Sequence, residues 1–314
     1  MEKKRIILAL GGNALQRDTK DSSAKSQLEM AKLTAKSVVD LISAGHEIAI
    51  VHGNGPQVGQ IVSAYEEAKD REMPFPECGA MSQGYIGYHL QQAIRGEMRD
   101  RGIDKGIASI VTQVLVDKDD PGFLNPTKPI GSFFTEKEAK KLEEVNGYTM
   151  KEDAGRGFRR VVPSPEPIDI VESSTIKSLV EAGNIVIAAG GGGVPVIDKG
   201  NNSLEGIAAV IDKDFAAAKL GEILEADMLI ILTAVEKVYI NYNKPEQSGL
   251  DNLTVAEAEK LMEEGHFAAG SMLPKIKAAI KFVKNNPNRK ALITSLENAS
   301  EGIEGKTGTL IINQ

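Results

Sequence analysis

Short apolar runs alternate with amphipathic stretches along most of the 314 residues. Arg5 to Leu10 is apolar after its first residue and stops at Gly11-Gly12-Asn13, which predicts a strand buried on both faces. Residues 22–44 then place Leu28, Leu33, Val38, Leu41 and Ile42 on one side of a helix, with Gly45 as its stop. His46 to Val51 predicts the next strand, ending at Gly53-Asn54-Gly55. Helical patterns follow at 57–70 and 80–101, then a strand at Ile107 to Thr112. Further strands are expected at Asn184 to Ala189, Met228 to Leu232, Lys290 to Thr294 and Gly308 to Ile312, with helices between them. Such alternation predicts an α/β fold with a mainly parallel sheet covered on both faces.

Residues 117–168 break that rhythm. Pro121, Pro126, Pro129, Pro163, Pro165 and Pro167 crowd this stretch around a charged helix expected near 135–145. It reads as a surface excursion or as a small lid over a site. A boundary near 200–206, at Gly200-Asn201-Asn202, divides the chain into lobes of 1–205 and 206–314.

Composition narrows the function classes. Hydrophobic residues at 41% suit a folded globular enzyme. A net charge of −7, aromatics at 4% and no Trp argue against nucleic acid as a partner. One Cys excludes an internal disulfide framework and a multi-thiolate metal site. The apolar run after Met1-Glu2-Lys3-Lys4-Arg5 is too short for a signal-peptide core or a membrane span, so a cytoplasmic protein is expected.

Three predicted strands end in glycine-rich loops: Gly11-Gly12-Asn13, Gly53-Asn54-Gly55-Pro56 and Gly190-Gly191-Gly192-Gly193. In open parallel sheets, ligands bind beyond the carboxyl ends of the strands, and glycine lets backbone approach a phosphate. An anion site is therefore expected at that edge. The Gly53 to Gly59 stretch is not a dinucleotide fingerprint, because its spacing is wrong and the following strand ends without an acid for a ribose. Gly305-Lys306-Thr307 is not a P-loop, because residue 300 is Ser and a strand follows.

Bases are scarce. His46, His52, His89 and His266 show no metal-binding spacing, Ser271 has no evident base partner, and Cys78 follows Pro74 and Pro76 in an expected loop. Three lysines have distinctive contexts instead. Lys128 lies in Pro126-Thr127-Lys128-Pro129, where the flanking prolines predict a stiff turn, Lys213 between Asp212 and Asp214 ahead of a helix, and Lys275 just after Pro274 at a helix start. The two aspartates could equally serve as helix caps. Glycine loops, cationic lysines and few bases suit phosphoryl transfer, which depends on positioning and charge stabilisation. An acceptor that is already an anion needs no general base.

Four motifs occur in order: Ala9-Leu10-Gly11-Gly12-Asn13-Ala14, Val51-His52-Gly53-Asn54-Gly55-Pro56-Gln57-Val58-Gly59, Ile211-Asp212-Lys213-Asp214 and Gly270-Ser271-Met272-Leu273-Pro274-Lys275. Together they resemble the carbamate kinases of the amino-acid kinase superfamily. The stretch from Asp153 to Pro165, with Gly155-Arg156-Gly157-Phe158-Arg159-Arg160, and the proline-bracketed Lys128 are similar to the same family. The resemblance implies an open αβα sandwich with a small protruding subdomain at about 117–168, assembled as a homodimer. It implies the reaction ATP + carbamate ⇌ ADP + carbamoyl phosphate, with Mg²⁺ held by the nucleotide phosphates and no protein metal site. The N-terminal lobe would hold carbamate or carbamoyl phosphate and the C-terminal lobe ATP or ADP. By the same resemblance, Gly11, Gly12 and Asn13 would surround the transferred phosphoryl group. Gly53, Asn54 and Lys128 would contact the carbamoyl moiety. Lys213 and Lys275 would neutralise the moving phosphate, with Asp214 holding both. Thr233-Ala234-Val235, Val238, Tyr239, Ser271 and Met272 would shape the nucleoside pocket. The direction of flux, including ATP formation during arginine and carbamoyl phosphate breakdown, stays open. So do a superfamily member acting on another small carboxylate or phosphate, and a non-catalytic nucleotide-binding protein of the same fold.

Overall fold

The computed structural model describes residues 2–15, 21, 23–68, 73–153 and 155–313. The chain begins β1 (Arg5–Leu10), α1 (Ala24–Ser43), β2 (Glu47–His52), α2 (Gly55–Glu67), α3 (Phe75–Asp100), β3 (Ile107–Ser109) and β4 (Gln113–Leu115). Next come β5 (Lys128–Phe134), α4 (Glu136–Asn146), β6 (Thr149–Glu152), β7 (Phe158–Val162), β8 (Asp169–Ile170), α5 (Ser173–Glu181), β9 (Ile185–Ile187), β10 (Val194–Asp198) and β11 (Leu204–Gly206). The remainder is α6 (Lys213–Ile223), β12 (Met228–Thr233), β13 (Val238–Ile240), β14 (Ser248–Leu250), β15 (Asn252–Thr254), α7 (Val255–Glu263), α8 (Met272–Lys284), β16 (Lys290–Ser295), α9 (Ala299–Ile303) and β17 (Thr309–Ile312).

Eight strands form the central sheet in the order β15-β17-β16-β12-β1-β2-β9-β3. Among the described residues of this sheet, only the β16–β17 pair is antiparallel. In β1, Ile6, Leu8 and Leu10 pack into one core with α1 and α3, while Ile7 and Ala9 enter a second core with α6 and α8. Both faces of the strand are therefore dry, which is why its sequence is an unbroken apolar run rather than an alternation. The αβα sandwich expected from the sequence is the architecture found. Strands from residues beyond 206 fill one end of the sheet and β1, β2, β9 and β3 the other, so the sheet runs unbroken across the expected lobe boundary.

Within residues 117–168, β5, β7 and β6 make a separate three-stranded antiparallel sheet with α4 against it. Two sequence expectations need correction here and nearby. Lys128 does not sit in a proline-stiffened turn but opens β5, where it pairs with Val162 of β7. Pro129 fits that strand because β5 lies at the edge of its sheet and Pro129 stands near the strand's start, where a missing N–H is tolerated. Cys78 is not in a loop but in the first turn of α3, which starts at Phe75 with Pro74 at its N-cap and Pro76 as its second residue. Proline is well tolerated at a helix start, where its missing N–H has no partner to lose. Among the described residues, no helix is long and apolar enough to cross a membrane.

Candidate active site

Parallel register brings the glycine loops together. Leu10 of β1 lies beside His52 of β2, and Ile50 of β2 beside Ile187 of β9. The loops after these three strands consequently leave the same edge of the sheet. Gly11 turns directly against β12, where an added Cβ would come within 2.8 Å of the Leu232 carbonyl oxygen. A 3-10 turn over Gly12–Ala14 follows, anchored by the Thr34 hydroxyl of α1, which donates to the Ala14 carbonyl at 2.6 Å. The side chain of Asn13 lies outside the described residues. In the third loop, Gly191 has φ +68° and leaves no room for a Cβ, which would lie 2.1 Å from the Asn54 amide nitrogen. Thr112 supports this loop by accepting the Ala189 N–H at 2.9 Å, and the Gln83 amide holds the Thr112 backbone through two hydrogen bonds.

Two helices begin at this edge. Asp212 caps α6 by accepting the Asp214 N–H at 3.0 Å. Lys213 is the first residue of α6, and its stem crosses Gly53 with Cδ 3.6 Å from where a Cβ would stand. Lys275 lies in the first turn of α8, which packs alongside α6. Asp214 joins them. Its Oδ1 accepts from Lys213 Nζ at 2.5 Å and its Oδ2 from Lys275 Nζ at 3.1 Å. The carboxylate is 2% exposed, and the two lysine side chains 13% and 16%. Burial works to raise the Asp214 carboxyl, but the two lysine charges and hydrogen bonds outweigh it and hold it below its ordinary value. One ionised carboxylate thus fixes two ammonium groups. A net positive charge remains at paired helix N-termini, an arrangement that attracts phosphate.

Lys128 reaches the same point from the small sheet. Its Nζ donates to Asp212 Oδ2 at 2.9 Å. Asp212 therefore does two things: it caps α6 and receives Lys128. Sequence reading treated it as a cap alone, although the Asp-Lys-Asp alternation offered a signal for more.

His52 is sealed behind the second loop. Its Nδ1 donates to the Gly53 carbonyl at 2.8 Å. Complete burial pushes its pKa down to about 4, with the Lys213 charge acting the same way and the Gly53 hydrogen bond opposing. The ring is neutral at pH 7 and packs against Gly190. Asn54 is half-buried, and its Nδ2 donates to Ser82 Oγ of α3 at 2.8 Å. No sequence signal pointed to Ser82, because a serine within a helix is ordinary.

A cavity of about 690 Å³ adjoins the lysines, lined by Gly11, Gly12, Thr233, Ala234, Ser271 and Lys275. Val238, Tyr239 and Met272 do not line it. The Val238 side chain is shut in the core, Tyr239 stands on the β13–β14 hairpin near Tyr242, and Met272 opens α8 packed partly against the core. Among the described residues, no three His, Cys, Asp or Glu side chains converge on a metal position.

This geometry has close counterparts. The model of the Amino acid kinase family matches residues 4–295. A carbamate kinase of Clostridium perfringens is 59% identical over 98% of this chain and 99% of its own. The carbamate kinase-like protein YqeA of Escherichia coli is 58% identical over the same shares. Carbamate kinase from Giardia lamblia bound to AMP-PNP superposes with a TM-score of 0.94 at 42% identity, covering 99% of this chain and 98% of that one. Likeness that runs from end to end in both sequence and fold makes this chain a member of the amino acid kinase family, within its carbamate kinase branch.

Proposed function

We propose that the protein catalyses ATP + carbamate ⇌ ADP + carbamoyl phosphate. The observation that carries this reading is the buried Asp214 carboxylate holding Lys213 and Lys275 side by side at the glycine loops. In the transfer, negative charge spreads over the equatorial oxygens of the moving phosphoryl group. Two fixed ammonium groups can meet that charge without reorganising, and in a water-poor site their effect is enlarged. Backbone N–H groups of Gly11 and Gly12, with Asn13, would surround the same group. Gly53 and Asn54 would hold the carbamoyl moiety, and Lys128 would reach it from the small sheet. Carbamate is already an anion, so no side chain has to remove a proton from it. The neutral, buried His52 fits that economy, because it has no free route to the acceptor.

The nucleotide would lie in the cavity lined by Thr233, Ala234 and Ser271. That divides the chain into a carbamoyl-binding lobe at 1–205, including the small sheet, and a nucleotide-binding lobe at 206–314. Asp212 and Asp214 are each occupied by lysines, so the donor set fits a cation carried by the nucleotide's own phosphates. Mg²⁺ bound there would supply further neutralisation of phosphate charge. A homodimer is supported by the exposed Tyr88 and Val111, which line one groove beside the edge strand β3. Sedimentation at micromolar concentration tests it. A buried lone thiol and dependence on cellular nucleotides support a cytoplasmic setting.

The deciding assay is ATP formation from ADP and carbamoyl phosphate. Turnover with carbamoyl phosphate above that with other acyl phosphates is expected. ATP formed only from a different acyl phosphate would overturn the assignment of the acceptor.

A further inference from the structure

We propose that Ser82 is a positioning residue that fixes which way the Asn54 amide faces, and that this orientation selects an acceptor bearing an amine. The inference rests on the reading above, in which Asn54 contacts the carbamoyl group.

Ser82 lies in α3 and is fully buried. A hydroxyl has one proton to give, and Ser82 gives it to the Gly79 carbonyl at 2.6 Å. Its oxygen can then only accept from a second partner. Asn54 meets it at 2.8 Å through Nδ2. A flipped amide would set two acceptors face to face with no proton between them. Hydrogen-bond chemistry therefore orients the amide, where shape alone would leave oxygen and nitrogen interchangeable.

Gly191 restricts it further. A Cβ there would lie 2.1 Å from Asn54 Nδ2 and 2.7 Å from Oδ1, so the amide lies close against the glycine backbone. Among the described residues Oδ1 has no hydrogen-bond partner. What the protein leaves free on Asn54, next to Gly53 in the second glycine loop, is thus an acceptor with no proton to donate.

Carbamate differs from a plain carboxylate such as acetate in one group: an amine with two N–H donors in place of a methyl. Cationic lysines attract both anions alike. Only an acceptor rewards the amine, and a site built to hydrogen-bond a substrate N–H discriminates strongly against the analogue that lacks it.

The test compares ATP formation from ADP with carbamoyl phosphate and with acetyl phosphate, in the unmodified protein and in Ser82→Ala. Where acetyl phosphate is not turned over, its inhibition constant against carbamoyl phosphate serves as the reference. The preference for carbamoyl phosphate should fall by about tenfold in Ser82→Ala, the worth of roughly one neutral hydrogen bond. The change should appear in the KM for carbamoyl phosphate, with the KM for ADP unchanged. An equal loss for both acyl phosphates would mean that Ser82 only supports the fold, and an unchanged ratio would mean that it does not orient the amide; either overturns the proposal. Should Ser82→Ala fail to fold, Ser82→Cys fills similar space with a poor acceptor, and an unchanged ratio there overturns it equally. No ATP from carbamoyl phosphate with the unmodified protein would overturn the underlying reading as well.

Discussion

Lys213 and Lys128 both bring an ammonium group to the start of α6, by opposite routes. Lys213 grows from the helix itself and is locked, with Lys275, onto an aspartate that is 2% exposed. Lys128 arrives from the separate small sheet, is 33% exposed, and meets Asp212 through a single ion pair. The first arrangement is part of the central core and cannot shift without breaking it. The second hangs on a peripheral sheet, and a part-exposed pair of this kind contributes about 1 kcal/mol at most. The contrast suggests a division of labour. In the proposed reaction the buried pair would meet charge that develops during transfer, while the outer lysine would engage a substrate that must enter and leave.

The largest test of that contrast is removal of the inner lysines. Lys213→Ala or Lys275→Ala should lower kcat at least about a hundredfold, from the loss of about 3 kcal/mol of transition-state stabilisation. Lys→Arg should not restore it, because a planar fork does not replace a compact ammonium. Near-normal kcat in folded variants would remove these lysines from the chemistry. Acid should separate the regions next. His52 has a folded pKa lowered to about 4 from 6.5, so its contribution to stability is complete above pH 6.5 and is lost as pH falls toward 4. The difference in unfolding free energy between pH 7 and pH 4 should be smaller in His52→Gln by about 3 kcal/mol. Denaturant titrations of both proteins at the two pH values check it. Asp214, with its pKa held down, acts at lower pH still: its stabilisation is present above the ordinary carboxyl pKa and disappears as pH falls through the folded value.

Lys128→Ala sharpens the comparison from the other side. It should raise the KM for carbamoyl phosphate about tenfold, as for a charge-assisted contact, and leave ADP binding and the melting temperature nearly unchanged. A loss confined to ADP affinity would place this lysine on the nucleotide instead. The smallest catalytic effect belongs to Cys78, which packs with Ile130 and Val162 under the small sheet and, among the described residues, has no polar contact with the lysines. Its thiol is raised by burial and is inert as a nucleophile. Cys78→Ser should keep kcat within about twofold while lowering stability by about 1 kcal/mol, because a hydroxyl replaces a thiol at a buried position.

Much of this molecule is legible in its residues. The runs Arg5 to Leu10 and His46 to Val51 predict buried strands, and β1 and β2 are there, one residue off for the second and covered on both faces. The glycines after these two strands, with Gly190 to Gly193 after β9, suggest an anion site, and parallel register brings the three loops to one edge of the sheet. Lys213 and Lys275 stood out through their neighbours in sequence. Lys128 is equally visible in the sequence, but its local conformation is not. Its prolines suggest a turn, whereas pairing with β7 holds the segment extended. Likewise Cys78 looked loop-bound because prolines precede it, when those prolines are the start of α3.

Sequence by itself determined the layers, the parallel sheet and the glycine loops at its strand ends, because burial on both faces, helix starts and glycine runs are all local patterns. Only the tertiary structure decided which charges meet. Asp212 and Lys128 are 84 residues apart, Asp214 and Lys275 61 apart, and Asn54 and Ser82 28 apart. Those pairings depend on strand order and on where each helix docks, and no local pattern encodes them. The direction of the Asn54 amide goes one step further: it follows from a single hydroxyl proton spent on Gly79, inside a helix whose sequence gives no hint of it.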